Sequence, residues 1–353
     1  MNLLKSSGTL LFGIIISNLL AYAFHLVAGR MLGPEDYGTL GALLSLYLIV
    51  ALPGGALAYG VSKFTTQYHL NLEFGKMSLL RRRIQFEVLV FSGILFVLIY
   101  IFSSQISDFL KINSPLAVIL MSSTIAFALI LPINRGLLQG MKKFQALSLN
   151  NIFEAFSRFI LLVAFTFLGY GIHGAILAYG IGYLIAFLLV FPFIKEVTDA
   201  SVTSDSILIK PVRQFIFKVL LLNVIIQLLL NVPTLYIKHY YSSAFTGYWI
   251  AALNITRISL SLTSAISLVM FPEIIETTDL KLKRKIFIKS LLLVFLATSA
   301  MALVFILIPG FILNIMYGQS YTDAIPLLKI LGVAMIFVSI LQLSVDCFLA
   351  KIK

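Results

Sequence analysis

Charged side chains are scarce in this chain, at 11% of its 353 residues. A typical soluble domain carries about 25%, so the sequence cannot supply the polar surface that a water-soluble protein of this length needs. Cysteine occurs once, as Cys347, which excludes a disulfide framework and a thiolate metal site. Residues of the AVILMFWYC set make up 60%, and the mean hydropathy is +1.03. The chain is therefore expected to be an integral membrane protein.

Ten apolar runs are long enough to cross a bilayer core, which needs about 20 residues per helix. They predict an all-α polytopic fold whose short connections leave no room for a soluble domain. The runs are residues 10–28, 38–58, 84–102, 116–133, 149–169, 172–194, 215–237, 248–271, 288–308 and 325–349.

Basic residues fall mostly on one side of these runs. With the N-terminus inside, the inner segments hold 20 Lys and Arg, whereas the outer loops hold three, Arg30, Lys111 and Lys238. Because basic loops stay cytoplasmic, the pattern predicts a multi-pass protein of the plasma (inner) membrane with a cytoplasmic N-terminus. The net charge of +12 is thus explained by topology, and no nucleic-acid partner is expected.

The sequence contains an internal repeat. A shift of 209 residues lays Tyr37-Gly38 onto Thr246-Gly247, and a shift of 211 lays Pro115-Leu116 onto Pro326-Leu327. Six spans are therefore followed by a second copy in the same orientation, which is a parallel repeat.

This repeat predicts three regions. They are an N-terminal six-helix lobe at 1–196, a cytoplasmic linker at 197–214 and a C-terminal lobe at 215–353. The second copy lacks counterparts of the fifth and sixth spans. We therefore expect the second lobe to be incomplete and the chain to be part of a longer protein.

The segment between the first two runs reads Arg30-Met31-Leu32-Gly33-Pro34-Glu35-Asp36-Tyr37-Gly38. It resembles the R-x-L-G-P-x-x-Y-G signature of Wzx-type polysaccharide flippases, which belong to the multidrug, oligosaccharidyl-lipid and polysaccharide (MOP) exporter superfamily. Further matches are Arg135-Gly136-Leu137-Leu138-Gln139-Gly140 and Ala178-Tyr179. The resemblance implies a MATE-like fold of two helix bundles around a cavity that opens alternately to the two sides.

The same resemblance implies a function. A flippase of this kind moves an oligosaccharide linked to an isoprenoid diphosphate from the inner to the outer leaflet for cell-surface polysaccharide assembly. The implied partners are this lipid-linked oligosaccharide, membrane lipids, and glycosyltransferases or a polymerase of the same pathway, and no cofactor is implied. Two alternatives remain open: a multidrug or metabolite antiporter of the same superfamily, and a non-transporting scaffold of a polysaccharide export complex. An enzyme is not expected, because the sequence has no P-loop and no zinc-type His/Cys cluster.

Arg257 lies near the centre of the eighth run, with Asn254 on the same helical face. A charge at this depth is costly, and no acidic residue stands three or four positions away. Because a guanidinium offers paired donors that suit phosphate oxygens, Arg257 is a candidate diphosphate contact. The alternative is a pairing with an acidic side chain or with backbone carbonyls of another helix.

Glu154 and Arg158 stand four residues apart in the fifth run, in the order that favours an intrahelical ion pair. A structural pair is one interpretation. In the other, Glu154 takes up a proton or cation, which couples transport to an ion and frees Arg158 to bind an anion.

Two polar stripes coincide under the 209-residue shift, and they are expected to line a cleft and to contact sugar hydroxyls. Ordinary interhelical hydrogen bonding is the alternative. The stripes are Asn18, Tyr22 and His25 in the first copy and Gln227, Asn231 and Thr234 in the second.

Pro53-Gly54-Gly55 lies inside the second run. It is either a hinge candidate or a static kink.

Overall fold

The computed structural model describes residues 3–200, 209–276 and 279–349. Nearly all of these residues are helical, and no strand occurs among them. Two 3-10 helices, Phe191–Ile194 and Gln319–Ala324, accompany the α-helices. The α-helices are α1 (Leu3–Val50), α2 (Pro53–Leu70), α3 (Phe74–Ile101), α4 (Ser103–Phe109), α5 (Pro115–Ser123), α6 (Ile125–Gly140), α7 (Phe144–Phe167), α8 (Gly171–Val190), α9 (Lys195–Thr198), α10 (Ile209–Tyr240), α11 (Ser243–Thr256), α12 (Ile258–Glu276), α13 (Leu280–Leu307), α14 (Pro309–Tyr317) and α15 (Ile325–Leu349).

Within the described residues, nine helical stretches are long and apolar enough to cross a membrane. The first, Phe12–Leu70, has 59 residues. As one straight helix it would measure roughly 90 Å, about three times the hydrocarbon core. Its backbone leaves the helical region at Gly33, where φ is 74° and ψ is 173°. The stretch therefore contains the first two predicted runs, and the expected all-α polytopic fold is confirmed.

The surface of these helices suits lipid. Phe86, Leu303 and Phe337 are each more than half exposed, at 68%, 57% and 69%. Apolar exposure on this scale is unusual on a soluble monomer, whereas hydrocarbon chains solvate it at no cost. The chain is a multi-pass membrane protein; its orientation and the identity of the membrane stay predictions.

Contacts divide the chain into two compact units. The first comprises residues up to Leu32 and Ala42–Leu221, and the second comprises Gly33–Gly41 and the residues from Leu222 onward. The predicted boundaries at 196 and 215 differ from this division because the first turns of α10 pack within the first unit. There the Lys63 ammonium lies 4.0 Å from the centre of the Phe215 ring. Residues 201–208 of the predicted linker lie outside the described residues, and the division into lobes stays a prediction.

In the second unit, the segment Gly33–Gly41 crosses α11 at very short range. A Cβ on Gly38 would overlap the carbonyl oxygen of Ser243, and a Cβ on Gly247 would overlap that of Pro34. The 209-residue shift lays Gly38 onto Gly247 and Pro34 onto Ser243. The same kind of contact is therefore made twice: each glycine lies against a carbonyl of the other segment, at equivalent positions of the repeat. This is expected where two repeat-related helices cross at a two-fold axis. Small residues allow this approach in membrane proteins.

We predict that Gly247→Ala lowers the free energy of unfolding by about 1–3 kcal/mol, because the added methyl group meets backbone that cannot move aside. Unfolding of the purified protein in mixed micelles, followed by circular dichroism, measures this change. Gly93→Ala is the matched control, since no atom lies within 4 Å of a Cβ built on Gly93 in α3. Equal stability of the two variants would contradict the close crossing.

Candidate functional site

Three ionised side chains form a buried cluster in the first unit. The Glu154 carboxylate accepts from Arg158 Nη2 at 2.8 Å through Oε1 and from Arg135 Nη2 at 2.6 Å through Oε2. The side chains of Glu154, Arg158 and Arg135 are only 6%, 14% and 19% exposed. The Glu154–Arg158 pair has the predicted i, i+4 spacing; the second arginine was not expected.

Helices α6, α7 and α8 position this cluster. Arg135 on α6 also donates through Nε to Asn150 Oδ1 at 2.8 Å, and Asn150 Nδ2 donates to the Ala186 carbonyl of α8 at 2.7 Å. Asn150 lies one helical turn before Glu154 on α7, so both residues face Arg135. This chain of hydrogen bonds holds the Arg135 guanidinium in one orientation.

Three tyrosines border the cluster. The Arg158 guanidinium carbon lies 4.5 Å from the Tyr179 ring centre and 5.3 Å from that of Tyr183. Tyr47 packs on both tyrosines, with ring centroids 5.8 Å and 6.1 Å away. Aromatic faces attract a guanidinium through their quadrupole, so they hold Arg158 without neutralising it.

The cluster carries an excess of positive charge. Among the residues that the structure describes, Glu154 is the only carboxylate within salt-bridge distance of Arg135 or Arg158. Two guanidinium groups therefore share one carboxylate inside spans of low dielectric. A cation at this depth is costly unless it is compensated, so the arrangement favours the approach of an anion.

A second polar cluster lies in the second unit. Arg257 Nη2 donates to Asn231 Oδ1 and to the Leu230 carbonyl, both at 3.2 Å. Asn231, which is fully buried, donates through Nδ2 to the Gln227 backbone oxygen at 2.8 Å and to Gln227 Oε1 at 3.2 Å. The structure thus brings together Arg257, Asn231 and Gln227, which the sequence predicted separately.

Local backbone features explain this second cluster. Arg257 lies in a turn between α11 and α12, so the predicted eighth run is two helices. Pro233 stands inside α10, three residues after Leu230. Proline lacks the N–H that would bond the Leu229 carbonyl one turn earlier, and the adjacent Leu230 carbonyl accepts from Arg257. The bond to Leu230 matches the alternative prediction for Arg257, a contact with a backbone carbonyl of another helix.

Asn254 does not join Arg257. Its Nδ2 donates to the hydroxyl of Tyr37 at 2.9 Å, and this hydroxyl lies 3.3 Å from that of Tyr317. Asn254 and Tyr37 are both buried. The signature tyrosine therefore anchors the segment Gly33–Gly41 to α11, and Asn254 has a structural partner in this conformation.

The first-copy stripe is less connected than its counterpart. Asn18 is exposed, and among the described residues no hydrogen bond joins Asn18 or Tyr22 to the Arg135–Glu154–Arg158 cluster. His25 packs edge-on against Phe24, whose ring contacts Tyr179 in the same way. In the second copy, Thr234 accepts from the indole N–H of Trp249 at 3.1 Å. A cleft-lining role for the stripes stays a prediction.

The hinge candidate coincides with a break in the helix. Helix α1 ends at Val50 and α2 begins at Pro53, with a turn between them. Gly54 packs closely on α6, since a Cβ there would lie 3.2 Å from the Ala128 carbonyl oxygen, whereas Gly55 has open space around it. Pro53 therefore begins a helix rather than bending one, and a hinge motion stays a prediction.

Sequence reasoning placed two important cations in loops. Arg135 is one of the basic residues expected in the inner segments, but it lies within α6; Lys238, expected in an outer loop, is fully buried. The Lys238 ammonium donates to Thr39 Oγ1 at 3.0 Å and also contacts the Ser243 hydroxyl. Asn150 stands four residues before Glu154 and therefore on the same helical face, and this spacing could have indicated that both residues bind Arg135. In the described part of the chain, no cluster of His, Cys, Asp and Glu could hold a metal ion.

The model of the polysaccharide biosynthesis protein family matches residues 3–278. The chain belongs to this family. The predicted membership of the Wzx-type polysaccharide biosynthesis family is confirmed. No curated protein sequence matches the chain.

Solved structures show the same fold. An inward-facing multidrug resistance MATE family transporter of the MOP superfamily superposes with a TM-score of 0.69 at 14% identity, covering 95% of this chain and 83% of that chain. A MATE transporter from Vibrio cholerae gives 0.68 at 13% identity, with coverages of 98% and 85%. A MOP superfamily transporter from Pyrococcus furiosus gives 0.62 at 16% identity, with coverages of 98% and 84%. Family and fold together make this polysaccharide biosynthesis family member a membrane transporter.

We predict that Glu154→Gln lowers the free energy of unfolding by about 3–5 kcal/mol, because it leaves two buried guanidinium groups without their shared carboxylate. Unfolding titrations in mixed micelles measure the loss. Glu87→Gln is the matched control: Glu87 also bridges two arginines, Arg83 and Arg213, but these are 59% and 57% exposed. An exposed pair contributes about 0–1 kcal/mol. Similar losses in both variants would contradict the burial of the cluster.

Proposed function

We propose that the protein is a flippase that moves an oligosaccharide linked to an isoprenoid diphosphate from the inner to the outer leaflet by alternating access. This transport supplies cell-surface polysaccharide assembly. The N-terminus lies on the cytoplasmic side of the plasma (inner) membrane. Glycosyltransferases or a polymerase of the same pathway act before and after the transport step. The family and the transporter fold support this proposal.

The observation that carries the proposal is the charge excess of the Arg135–Glu154–Arg158 cluster. A diphosphate is the strongly anionic part of such a substrate, and planar guanidinium groups bind its oxygens in pairs. In the absence of substrate, Glu154 occupies donors of both arginines. An incoming diphosphate can compete for these donors, and the proton or cation that Glu154 takes up as the proposed coupling residue then neutralises the displaced carboxylate.

The neighbours of Arg158 suit the sugar portion. Tyr179 and Tyr183 present aromatic rings beside the guanidinium and are partly exposed. Sugar rings pack their C–H faces on aromatic rings, and phenol hydroxyls exchange hydrogen bonds with sugar hydroxyls. One site thus offers cations for the diphosphate and tyrosines for the adjoining saccharide.

Arg257 provides an anion contact of its own in the second unit. The two acceptors described above for the Arg257 guanidinium are a neutral amide oxygen and a neutral carbonyl. Asn231 orients it, and Gln227 orients Asn231. We assign Arg257 to the diphosphate as well, as a contact used at another stage of the cycle.

The alternative transport function is that of a multidrug or metabolite antiporter, and one fold relative is by name a multidrug resistance transporter. Glu154 with its tyrosine neighbours is the feature that favours it, since carboxylates and aromatic rings bind organic cations. Both oxygens of this carboxylate are, however, bonded to arginines. For the Pyrococcus furiosus relative, reverse polarity of the binding pocket suggested a different function, and a cationic cluster is the polarity that an anionic substrate needs.

We predict that Arg257→Ala lowers the flipping rate at least tenfold, which corresponds to about 1.4 kcal/mol of lost interaction. The measurement is a leaflet-protection assay in proteoliposomes with a labelled isoprenoid-diphosphate oligosaccharide. Arg82→Ala is the control, because Arg82 is an exposed arginine in α3 outside both clusters. If neither wild type nor variant flips this substrate while organic cations cross, the antiporter replaces the flippase. Flipping unchanged in Arg257→Ala would remove Arg257 from the site.

Glu154 is the proposed coupling residue. We expect the wild-type flipping rate to respond to an imposed proton or sodium gradient and Glu154→Gln to abolish this response, since an amide cannot exchange a proton or bind a cation as a carboxylate does. Glu154→Asp, which keeps the carboxylate, should retain it. Comparison at equal amounts of monodisperse protein separates coupling from folding. A gradient response that persists in Glu154→Gln would exclude Glu154 from coupling.

A further inference from the structure

A cleft of about 470 Å³ lies in the second unit, between α14 and the 3-10 helix Gln319–Ala324. Asn314, Gln319 and Thr322 supply its polar side chains, and Leu313 and Ile325 supply apolar surface. No residue that lines it carries a charge. The cleft belongs to the connection between two spans on the side of the membrane that the basic residues predict to be outer, far along the sequence from both cationic clusters.

The walls of this cleft are held rigidly. Gly318, at a φ of 92°, ends α14, and its N–H donates to the carbonyls of Leu313 at 3.2 Å and Asn314 at 3.0 Å. The Thr322 hydroxyl donates to the Gln319 carbonyl at 2.7 Å. Tyr321 is fully buried, and its ring centroid lies 5.1 Å from that of Tyr317. The cleft is therefore pre-formed, which reduces the entropy that a ligand must overcome.

The chemistry of the cleft suits a neutral ligand rich in hydroxyl groups. The amides of Asn314 and Gln319 each donate and accept, both side chains are exposed, and neither makes a hydrogen bond to another described residue. Thr322 keeps acceptor lone pairs after its bond to the backbone. Ile325, which is partly exposed, can pack on the C–H face of a ring. A charged group gains nothing here, since no ionic partner lines the cleft.

The corresponding connection in the first copy is shorter. There the chain takes six positions from Phe109, the end of α4, to Pro115, whereas it takes nine from Tyr317 to the equivalent Pro326. The shorter turn is closed by a side-chain contact, since Ser114 Oγ lies 3.1 Å from His173 Nε2. The connection that forms the cleft is thus three residues longer than its counterpart in the first copy.

We infer that this cleft binds an uncharged saccharide unit, a hexose or N-acetylhexosamine, of the glycan that the protein carries. The inference rests on the proposed function, and it assigns to the neutral part of the substrate a site separate from that of the diphosphate. The amides of Asn314 and Gln319 bond the ring hydroxyls, and the Thr322 hydroxyl accepts a further bond. A glycan held here at the predicted outer face is kept from returning with its lipid.

The test uses the full chain in nanodiscs and two free probes, maltotriose and chitotriose, detected by saturation-transfer difference NMR. The combined substitution of Asn314→Ala and Gln319→Ala should weaken binding of at least one probe about fivefold or more, as expected for two lost hydrogen bonds. Gln67→Ala with Asn71→Ala is the matched control, because it also removes one exposed glutamine amide and one exposed asparagine amide, here at the end of α2. The control should bind as wild type does.

Three results would overturn the inference: wild type that binds neither sugar, equal weakening in the cleft variant and the control, or binding that is lost in Arg257→Ala but kept in the cleft variant. Failure of the proposed function gives a different pattern. In that case the wild-type protein does not flip the lipid-linked oligosaccharide, while the cleft-dependent binding of free sugar persists and supports the inference.

Discussion

The constraint on which this structure depends is the cost of charge in hydrocarbon. An ionised side chain within a span must be compensated by an opposite charge, by hydrogen bonds or by a ligand. Glu154 meets this requirement for Arg135 and Arg158 together, and the local arrangement of α6, α7 and α8 follows from the geometry of these bonds. Because one carboxylate serves two guanidinium groups, the cluster stays cationic. The residues that stabilise this part of the fold are thus the same three to which the proposed anionic substrate is assigned.

A second constraint is steric. The second unit is assembled around a crossing at which backbone meets backbone, and only glycine at positions 38 and 247 permits it. A buried hydrogen bond between Asn254 and Tyr37 stabilises the same crossing. The signature segment between the first two predicted runs is therefore explained by packing: Gly33 breaks the helix at a positive φ, and Gly38 and Tyr37 join the segment to α11.

The polar groups of the protein differ both in charge and in their location in the fold. Arginines with amide and tyrosine neighbours lie within the spans, where a diphosphate needs compensation for its charge. The cleft beside α14 holds uncharged amides and a hydroxyl, which match sugar hydroxyls and lack any attraction for phosphate. A substrate with an anionic head and a neutral chain presents both kinds of surface, and this correspondence is the basis for proposing that one ligand uses both kinds of site.

The sequence by itself determined the membrane class, the spans, the repeat and the family. These properties depend on the length of apolar runs, the distribution of basic residues between loops, and short motifs, all of which can be identified from the order of residues alone. It also determined the Glu154–Arg158 pair, because residues four apart on a helix are neighbours whatever surrounds them. Arg135, Tyr47 and Tyr183 could not be assigned in this way, since their contacts join residues distant in sequence.

Only the tertiary structure decided that Asn254 turns to Tyr37 rather than to Arg257, and that Lys238 is buried rather than in a loop. Sequence spacing gives the face of a helix, whereas the partner on this face depends on which other helix packs there. Arg257 shows both limits: its position near the centre of a span could be predicted from the sequence, but its bonds to Leu230 and Asn231 depend on α10 lying beside it.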